Sequence, residues 1–295
     1  MKDTAHHEQA AGERPSLYVV ATPIGNLADI TLRALDVLKR VAAIAAEDTR
    51  VTVRLLQHYG IAVPLITLHQ HNERDAARKI LRLLAQGNSV ALVSDAGTPA
   101  ISDPGAVAVA AVREAGYPVV PVPGANAAVG ALSAAGLAAP HFLFYGFLPQ
   151  QAAARRRELA TLRALPYLLV FYEAPHRVIG SVGDIADVLG GGRTLTIARE
   201  LTKLFESIHA CKLGEAAAWF AEDANRSKGE FVLLVEGAAA VETTIAEATN
   251  AEAARRVLEI LSSELPLKQA VKLATEITGG RRNELYALAL EMKKH

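Results

Sequence analysis

The sequence predicts an α/β protein with two α/β domains, the first on a parallel sheet and the second on a mixed one, followed by a small helical domain. Three observations predict it. From Leu17 onward, short apolar runs rich in Val, Leu and Ile alternate with longer stretches of helical periodicity, as expected of strands covered on both faces by crossover helices. Past Ala138 the pattern becomes more mixed, and the last two strand-like runs are separated by a single short helix. Beyond Thr244 apolar residues recur only at helical spacing. At 295 residues the chain is also too long for one ordinary core. The expected division is a disordered tail over 1–15, α/β domains over 16–137 and 138–240, and a helical domain over 245–295.

Leu17–Ala21 reads as the first buried strand, and Ile30, Ala34, Val37, Leu38 and Val41 then form one apolar stripe of a surface helix. Strands follow at Ala43–Ala46, Leu65–Leu68, Val90–Ser94 and Val119–Val122. A helix from Asn72 carries Ala76, Ile80, Leu83 and Leu84 on one face. The second domain places strands at Phe142–Tyr145, Leu168–Tyr172, Thr194–Ala198, Glu206–Cys211 and Glu230–Glu236. Ala254, Val257, Leu258 and Leu261 form the first C-terminal stripe, and Leu267, Val271 and Ala274 the second. Leu285, Leu288, Ala289 and Met292 form the third. Pro266 suits the first turn of the middle helix, and Gly279-Gly280 stops it.

Composition narrows the function classes. Lys+Arg 31 balances Asp+Glu 31, which excludes a protein that coats nucleic acid through bulk charge but leaves room for a local basic patch. The single cysteine, Cys211, excludes an internal disulfide framework and a thiolate zinc site. No apolar run approaches the roughly 18–20 residues of a membrane helix. Residues Met1 to Pro15 are polar and lack the apolar core of a signal peptide. A soluble, cytoplasmic protein is expected.

The densest signal is Val93-Ser-Asp-Ala-Gly-Thr-Pro-Ala-Ile-Ser-Asp-Pro-Gly105, just after a buried strand. Its glycines and prolines predict a compact loop whose backbone groups face a ligand at the carboxyl edge of the sheet. A phosphatase of the haloacid class is excluded, because Ser94 and Ala96 stand where its D-x-D-G-T pattern needs other residues. Thr22-Pro-Ile-Gly-Asn26 and Pro121-Val-Pro-Gly-Ala-Asn126 follow two further strands of the same sheet. Neither is a dinucleotide or triphosphate fingerprint. The three loops are expected to converge. Glu47-Asp-Thr-Arg50 reads either as a capped helix start, with Asp48 or Thr49 at the cap, or as part of a site. Phe171-Tyr-Glu-Ala-Pro-His-Arg177, and Arg199-Glu-Leu-Thr-Lys203 with Glu206, are charged strand ends of the second domain. His69, His71 and Glu73 do not make a convincing metal motif, and no metal is expected.

Taken together, these segments resemble the tetrapyrrole methylase superfamily, and within it the bacterial branch that methylates ribosomal RNA. The matching residues are Ala21–Leu27, Glu47–Arg50, Ser94–Pro99, Ser102–Gly105, Pro123–Asn126, Tyr145–Pro149, Tyr172–Arg177, Ala198–Lys203 and Gly229-Glu230, in order from about Leu17 to about Ala289. The resemblance implies S-adenosylmethionine in a cleft between two α/β domains, usually in a homodimer. It also implies methylation of the ribose 2′-hydroxyl of a decoding-centre cytidine in 16S rRNA of the small ribosomal subunit. Its cofactor residues map to Pro23, Gly25, Asp95, Ala96, Gly97, Thr98, Pro99, Ser102, Gly124, Ala125, Asn126 and Ala127. Phe171, Tyr172, Gly229 and Glu230 would close the pocket.

Candidates for a base are Glu47, Asp48, Glu173 and Lys203, the last only with a lowered pKa. Candidate RNA contacts are Arg50, Arg155, Arg156, Arg157, Arg177, Lys268, Lys272, Arg281 and Arg282. Two departures from the family pattern stand out. Gln150, Gln151 and three alanines occupy positions where relatives often carry basic residues, and Val51 replaces a polar or aromatic residue. Two other readings remain: a methylase of a small corrin or porphyrin precursor, and a non-catalytic RNA-binding or assembly protein. The helices beyond Thr244 speak against the first, and the intact Asp95–Gly105 and Tyr172–Arg177 segments against the second.

Overall fold

The computed structural model describes residues 14–238, 244–280 and 282–292. The chain forms two compact units divided after Gly237. The first unit opens with a sheet of β1 (Leu17–Val20), β2 (Ala43–Ala46), β3 (Leu65–Thr67), β4 (Val90–Val93) and β5 (Val119–Val122). Its order is β3-β2-β4-β1-β5 and every pairing is parallel. Helices α1 (Leu32–Arg40) and α2 (Thr49–His58) cover one face, where Val37, Leu38 and Leu56 pack on Ile44, Ala91 and Val93. Helices α3 (Glu73–Ala85) and α4 (Ala106–Glu114) cover the other, where Ile80, Leu84 and Val112 pack on Leu17, Val90 and Leu92. Because both faces are buried, the strands read as continuous apolar runs. Pro121 is accommodated because β5 is an edge strand, paired only with β1.

Local chemistry sets the helix starts. Helix α1 begins two residues later than the apolar stripe suggests. The Thr31 hydroxyl accepts a hydrogen bond from Ala34 N at 3.1 Å and caps it, leaving Ile30 in the preceding turn. After β5, Asn126 caps α5 (Ala127–Ala134) by accepting from Val129 N at 3.1 Å.

The second sheet contains β6 (Phe142–Phe147), β7 (Leu168–Glu173), β8 (Thr194–Arg199), β9 (Ser207–Lys212) and β10 (Phe231–Val235). Its order is β6-β7-β10-β8-β9, with β6 and β7 parallel and the remaining pairs antiparallel. Leu159 of α6 (Ala152–Leu162), Ile185 of α7 (Val178–Leu189) and Phe220 of α8 (Ala216–Glu222) cover one face, against Leu169, Phe171 and Leu233. The opposite face packs Val170, Ala198 and Val232 against Ala128 and Ala131 of α5. Helix α5, which follows the first sheet in the chain, is thus buried on the second and ties the two together.

The second unit is α9 (Thr244–Glu264), α10 (Leu267–Thr278) and α11 (Arg282–Met292). Leu258, Val271, Ala274, Leu285 and Ala289 are buried at their common core. Pro266 is the N-cap of α10, one position ahead of its first turn, and Gly279 ends the helix at φ +67°. Among the described residues no helix is long and apolar enough to cross a membrane.

Candidate active site

Loops after β1, β2, β4 and β5 leave the same edge of the first sheet, where the strand ends of the second sheet meet them. Between them lies a cleft of about 550 Å³, within the range of small-ligand sites. The longest loop, Ser94–Gly105, is held open in a costly conformation. Ala100 and Ser102 both have positive φ, 65° and 64°, without being glycine. Gly97 (φ +81°) exchanges two backbone hydrogen bonds with Thr22, at 2.8 and 3.0 Å, joining the loops after β4 and β1. Thr98 Oγ1 donates to the Ala125 carbonyl at 3.2 Å, which brings in the loop after β5. On the facing side β6 is bulged at Tyr145, with Gly146 at φ +79°. A Cβ on Gly146 would stand 2.8 Å from Ser102 Oγ, so only glycine lets the two loops meet this closely.

Of the residues assigned to the cofactor from sequence, Asp95, Ala96, Gly97, Thr98, Ser102, Asn126, Ala127, Tyr172 and Glu230 line the cleft. Others support it from behind. Pro23 and Pro99 are buried beneath the loops. Gly124 lies against Ala21, and Gly25 against the Lys203 side chain. Gly229, at φ +95°, leaves room for Glu200. Phe171 requires a correction. It is fully buried in the core of the second sheet, on the face away from the cleft, while Tyr172 faces it. Period-two alternation along β7 (Leu169 and Phe171 on one face, Val170 and Tyr172 on the other) carried that signal.

Sequence reasoning omitted several lining residues. Ile24, Ile101, Phe147, Leu201 and Val232 give the cleft an apolar wall, and Asp103 and His176 add polar groups. Asp103 stood within a motif, and its burial depends on a turn that the sequence does not predict.

Among the candidate bases, the structure separates four carboxyl and amino groups by environment. Glu47 lines the cleft. Burial first, then the negative charges of Asp103 and Asp95, push its carboxyl up to about 7, against a hydrogen bond from the Asp95 backbone. Asp103 is likewise raised, chiefly by burial. The next residue does the opposite. Asp48 is the N-cap of α2 and accepts from Arg50 N at 2.8 Å, while the Arg50 guanidinium lies 2.6 Å from its carboxylate. Those hydrogen bonds hold Asp48 down to about 2. Glu47-Asp48 is therefore both a helix cap and a site edge.

Glu173 is buried and paired with Arg177 at 3.0 Å. Lys203 bridges Glu200 and Glu230, each at 2.9 Å. Burial opposes its charge, but the hydrogen bonds to the two carboxylates outweigh it and raise the ammonium above its usual range. The lowered value that a lysine base needs is absent, and Lys203 stands as a cation.

The basic residues also divide. Arg155 is corrected from an RNA contact to an internal group. It is 6% exposed, lies 2.5 Å from Asp184, and donates to the Pro149 and Gln150 carbonyls. Arg155, Leu159 and Leu162 share the buried face of α6, and that i, i+4, i+7 spacing carried the signal. Arg156 also binds Asp184, at 2.5 Å, with about half of its side chain in solvent. Arg177 donates to the Leu148 carbonyl at 2.6 Å besides pairing with Glu173, so it clamps the cleft wall rather than standing free at the surface. Arg157, Lys268, Lys272 and Arg282 are exposed, as is Arg50. Arg281 lies outside the described residues. Among the described residues no group of three or more His, Cys, Asp or Glu side chains could hold a metal ion.

A parallel sheet and a mixed sheet enclosing a strained, acidic and half-apolar cleft define a class that sequence comparison identifies. The profile of Tetrapyrrole (Corrin/Porphyrin) Methylases matches residues 16–217, and the chain belongs to that family. A second profile, the RsmI C-terminal HTH domain, matches residues 247–293. The chain is 52% identical over 276 residues to a Pseudomonas aeruginosa protein named ribosomal RNA small subunit methyltransferase I, covering 94% of this chain and 97% of that one. It is also 52% identical over 287 residues to the protein of that name from Escherichia coli O157:H7, covering 97% and 99%. Solved structures share the fold. The methyltransferase CobJ superposes with a TM-score of 0.57 at 20% identity, over 76% of this chain and 95% of its own. Uroporphyrin-III C-methyl transferase from Thermus thermophilus, complexed with S-adenyl homocysteine, gives 0.53 at 19%, over 74% and 96%.

Proposed function

We propose that the protein transfers a methyl group from S-adenosylmethionine to the ribose 2′-hydroxyl of a decoding-centre cytidine in 16S rRNA. One observation carries the ribosomal reading. Identity of about half extends over nearly the whole of both chains to relatives named for small-subunit rRNA, helical unit included. The tetrapyrrole enzymes are matched over almost their full length by only three quarters of this chain. The same reading makes the protein a cytoplasmic homodimer.

The chemistry of the cleft fits the cofactor. The carboxyl groups of Glu47, Asp95 and Asp103 give it an acidic lining suited to a sulfonium, and Ile24, Ile101 and Val232 offer apolar surface to an adenine. Asp95, Ala96, Gly97, Thr98, Ser102, Asn126, Ala127 and Tyr172 would hold it, with Ala125 fixing Thr98 from behind. When bound, S-adenosylmethionine supplies an electrophilic methyl group. The chain's task is to orient the ribose and remove a proton. Orientation by the converged loops is worth about 7–11 kcal/mol. A ribose hydroxyl is a weak nucleophile at neutral pH, and we assign the base to Glu47, whose carboxyl near 7 is matched to that task. Asp48, bound to Arg50, and Glu173, bound to Arg177, are already committed.

The test is incubation with methyl-labelled cofactor and either small ribosomal subunits or a precorrin. The expected outcome is label in one rRNA nucleotide whose 3′-linkage resists alkaline cleavage, as a blocked 2′-oxygen requires. Label in the precorrin alone, or in an alkali-labile nucleotide, overturns the reading.

A further inference from the structure

The segment between β8 and β9 is more tightly built than a surface connection needs. Glu200 and Thr202 adopt positive φ, 52° and 68°, with no glycine in the turn. Successive backbone bonds fold it on itself: Lys203 N to the Glu200 carbonyl at 3.0 Å and Glu206 N to the Lys203 carbonyl at 3.1 Å. The Glu206 carboxylate accepts from Thr202 N at 2.5 Å. From below, Arg199 donates to the Phe205 carbonyl and to the Lys228 carbonyl, both at 3.1 Å. Lys203 folds inward, bridging Glu200 and Glu230. Every charged side chain of the segment is thus engaged in holding it. The two side chains at its tip are apolar and in water: Leu204 is 89% exposed and Phe205 65%.

The segment borders the cleft through Leu201, three and four residues ahead of that apolar pair. Leu201 and Glu230 line the cleft, and the Lys203 stem lies against Gly25 of the loop after β1. Two apolar side chains are far short of the roughly 800 Å² per partner that a stable protein interface buries. One aromatic face is what a single nucleobase needs, and a nucleotide drawn out of a stacked strand leaves neighbouring bases to be restacked on aromatic side chains. We propose that the 199–206 segment is a preformed stacking platform, on which Phe205 receives a base flanking the nucleotide in the cleft and Leu204 shields its edge. The inference rests on the RNA reading above. Pre-ordering of the segment means that little conformational freedom is lost on binding.

The experiment compares the full chain with Phe205→Ala, Phe205→Trp and Leu204→Ala. It measures KM and kcat on small ribosomal subunits, the cofactor Kd by calorimetry, and mass by sedimentation. Phe205→Ala should raise the RNA KM by about 5- to 150-fold, the range for loss of one stacked base. Phe205→Trp should keep the parental KM, with cofactor Kd and mass unchanged throughout. An unchanged KM in Phe205→Ala overturns the platform while leaving the methyltransferase reading intact. A fall in mass instead makes the tip a contact between copies of the chain, and likewise overturns it. If the unsubstituted chain transfers no methyl to RNA, the functional reading fails first and the platform with it.

Discussion

Glu47 and Asp48 are neighbours in sequence with opposite electrostatic fates, because one side chain is turned into a cleft among carboxylates and the other accepts hydrogen bonds from Arg50 at the start of α2. The Glu47 carboxyl, raised to about 7, is protonated below that pH and available as a base above it. We therefore expect kcat/KM to rise with pH through about 7 and then level off. Glu47→Gln should remove that limb and lower kcat/KM by about 10²–10⁴-fold. A limb that persists in Glu47→Gln would assign it to another group. The stability sign is opposite. Because folding raises this pKa from 4.5, the native state binds the proton more tightly, and stability attributable to Glu47 falls as pH rises from 4.5 to 7. At the same scale, Asp184 pairs with the buried Arg155 and with the half-exposed Arg156. Asp184→Ala strands a buried guanidinium, and should cost about 3–5 kcal/mol in urea denaturation. A cost below 1 kcal/mol would show that Arg155 finds solvent unaided.

At the scale of elements, the site is made of strand ends and the glycines that let them meet. Gly229 precedes β10 at φ +95°, and a Cβ there would lie 2.4 Å from Glu200 Cγ, a side chain already tied to Lys203 and to Glu230 N. Gly229→Ala should destabilise the protein by about 1–2 kcal/mol from the left-handed backbone alone, seen as a lower urea midpoint at unchanged m. It should also weaken RNA methylation by displacing the Glu200–Lys203–Glu230 bridge. Full activity and full stability in this variant would mean the segment relaxes freely. The strand order was not in the sequence: β4 inserts between β2 and β1, and β10 between β7 and β8. Those insertions bring the loops after β1 and β4 side by side and set Gly229-Glu230 across from Lys203.

At the scale of the whole molecule, the chain forms two compact units. The α/β unit contains every lining residue of the cleft, and the helical unit carries exposed Lys268, Lys272 and Arg282 on a match to an HTH domain. A chain ending at Gly237 should bind S-adenosylmethionine within a few-fold of the parent, by calorimetry, and lose methylation of small ribosomal subunits. Retained methylation would remove the docking role from the helical unit. The formal charge of zero is compatible with such a protein, since a shaped cleft and a few placed cations suffice where phosphate contacts only position the substrate.

The sequence by itself placed the ten strands to within two residues at either end, because strands buried on both faces must be continuously apolar, and it located several helices by their apolar stripes. It also determined that loops after several strands of one parallel sheet share an edge. Only the tertiary structure decided which charges meet. Arg155, Arg156 and Arg157 look alike as a run, yet helix register buries the first against Asp184 and leaves the third in water. Glu173 and Lys203 look like catalytic groups until their partners, Arg177 and the two glutamates, are in place. The role of a charged side chain depends on the partner and the dielectric around it, and both come from residues far away in the chain.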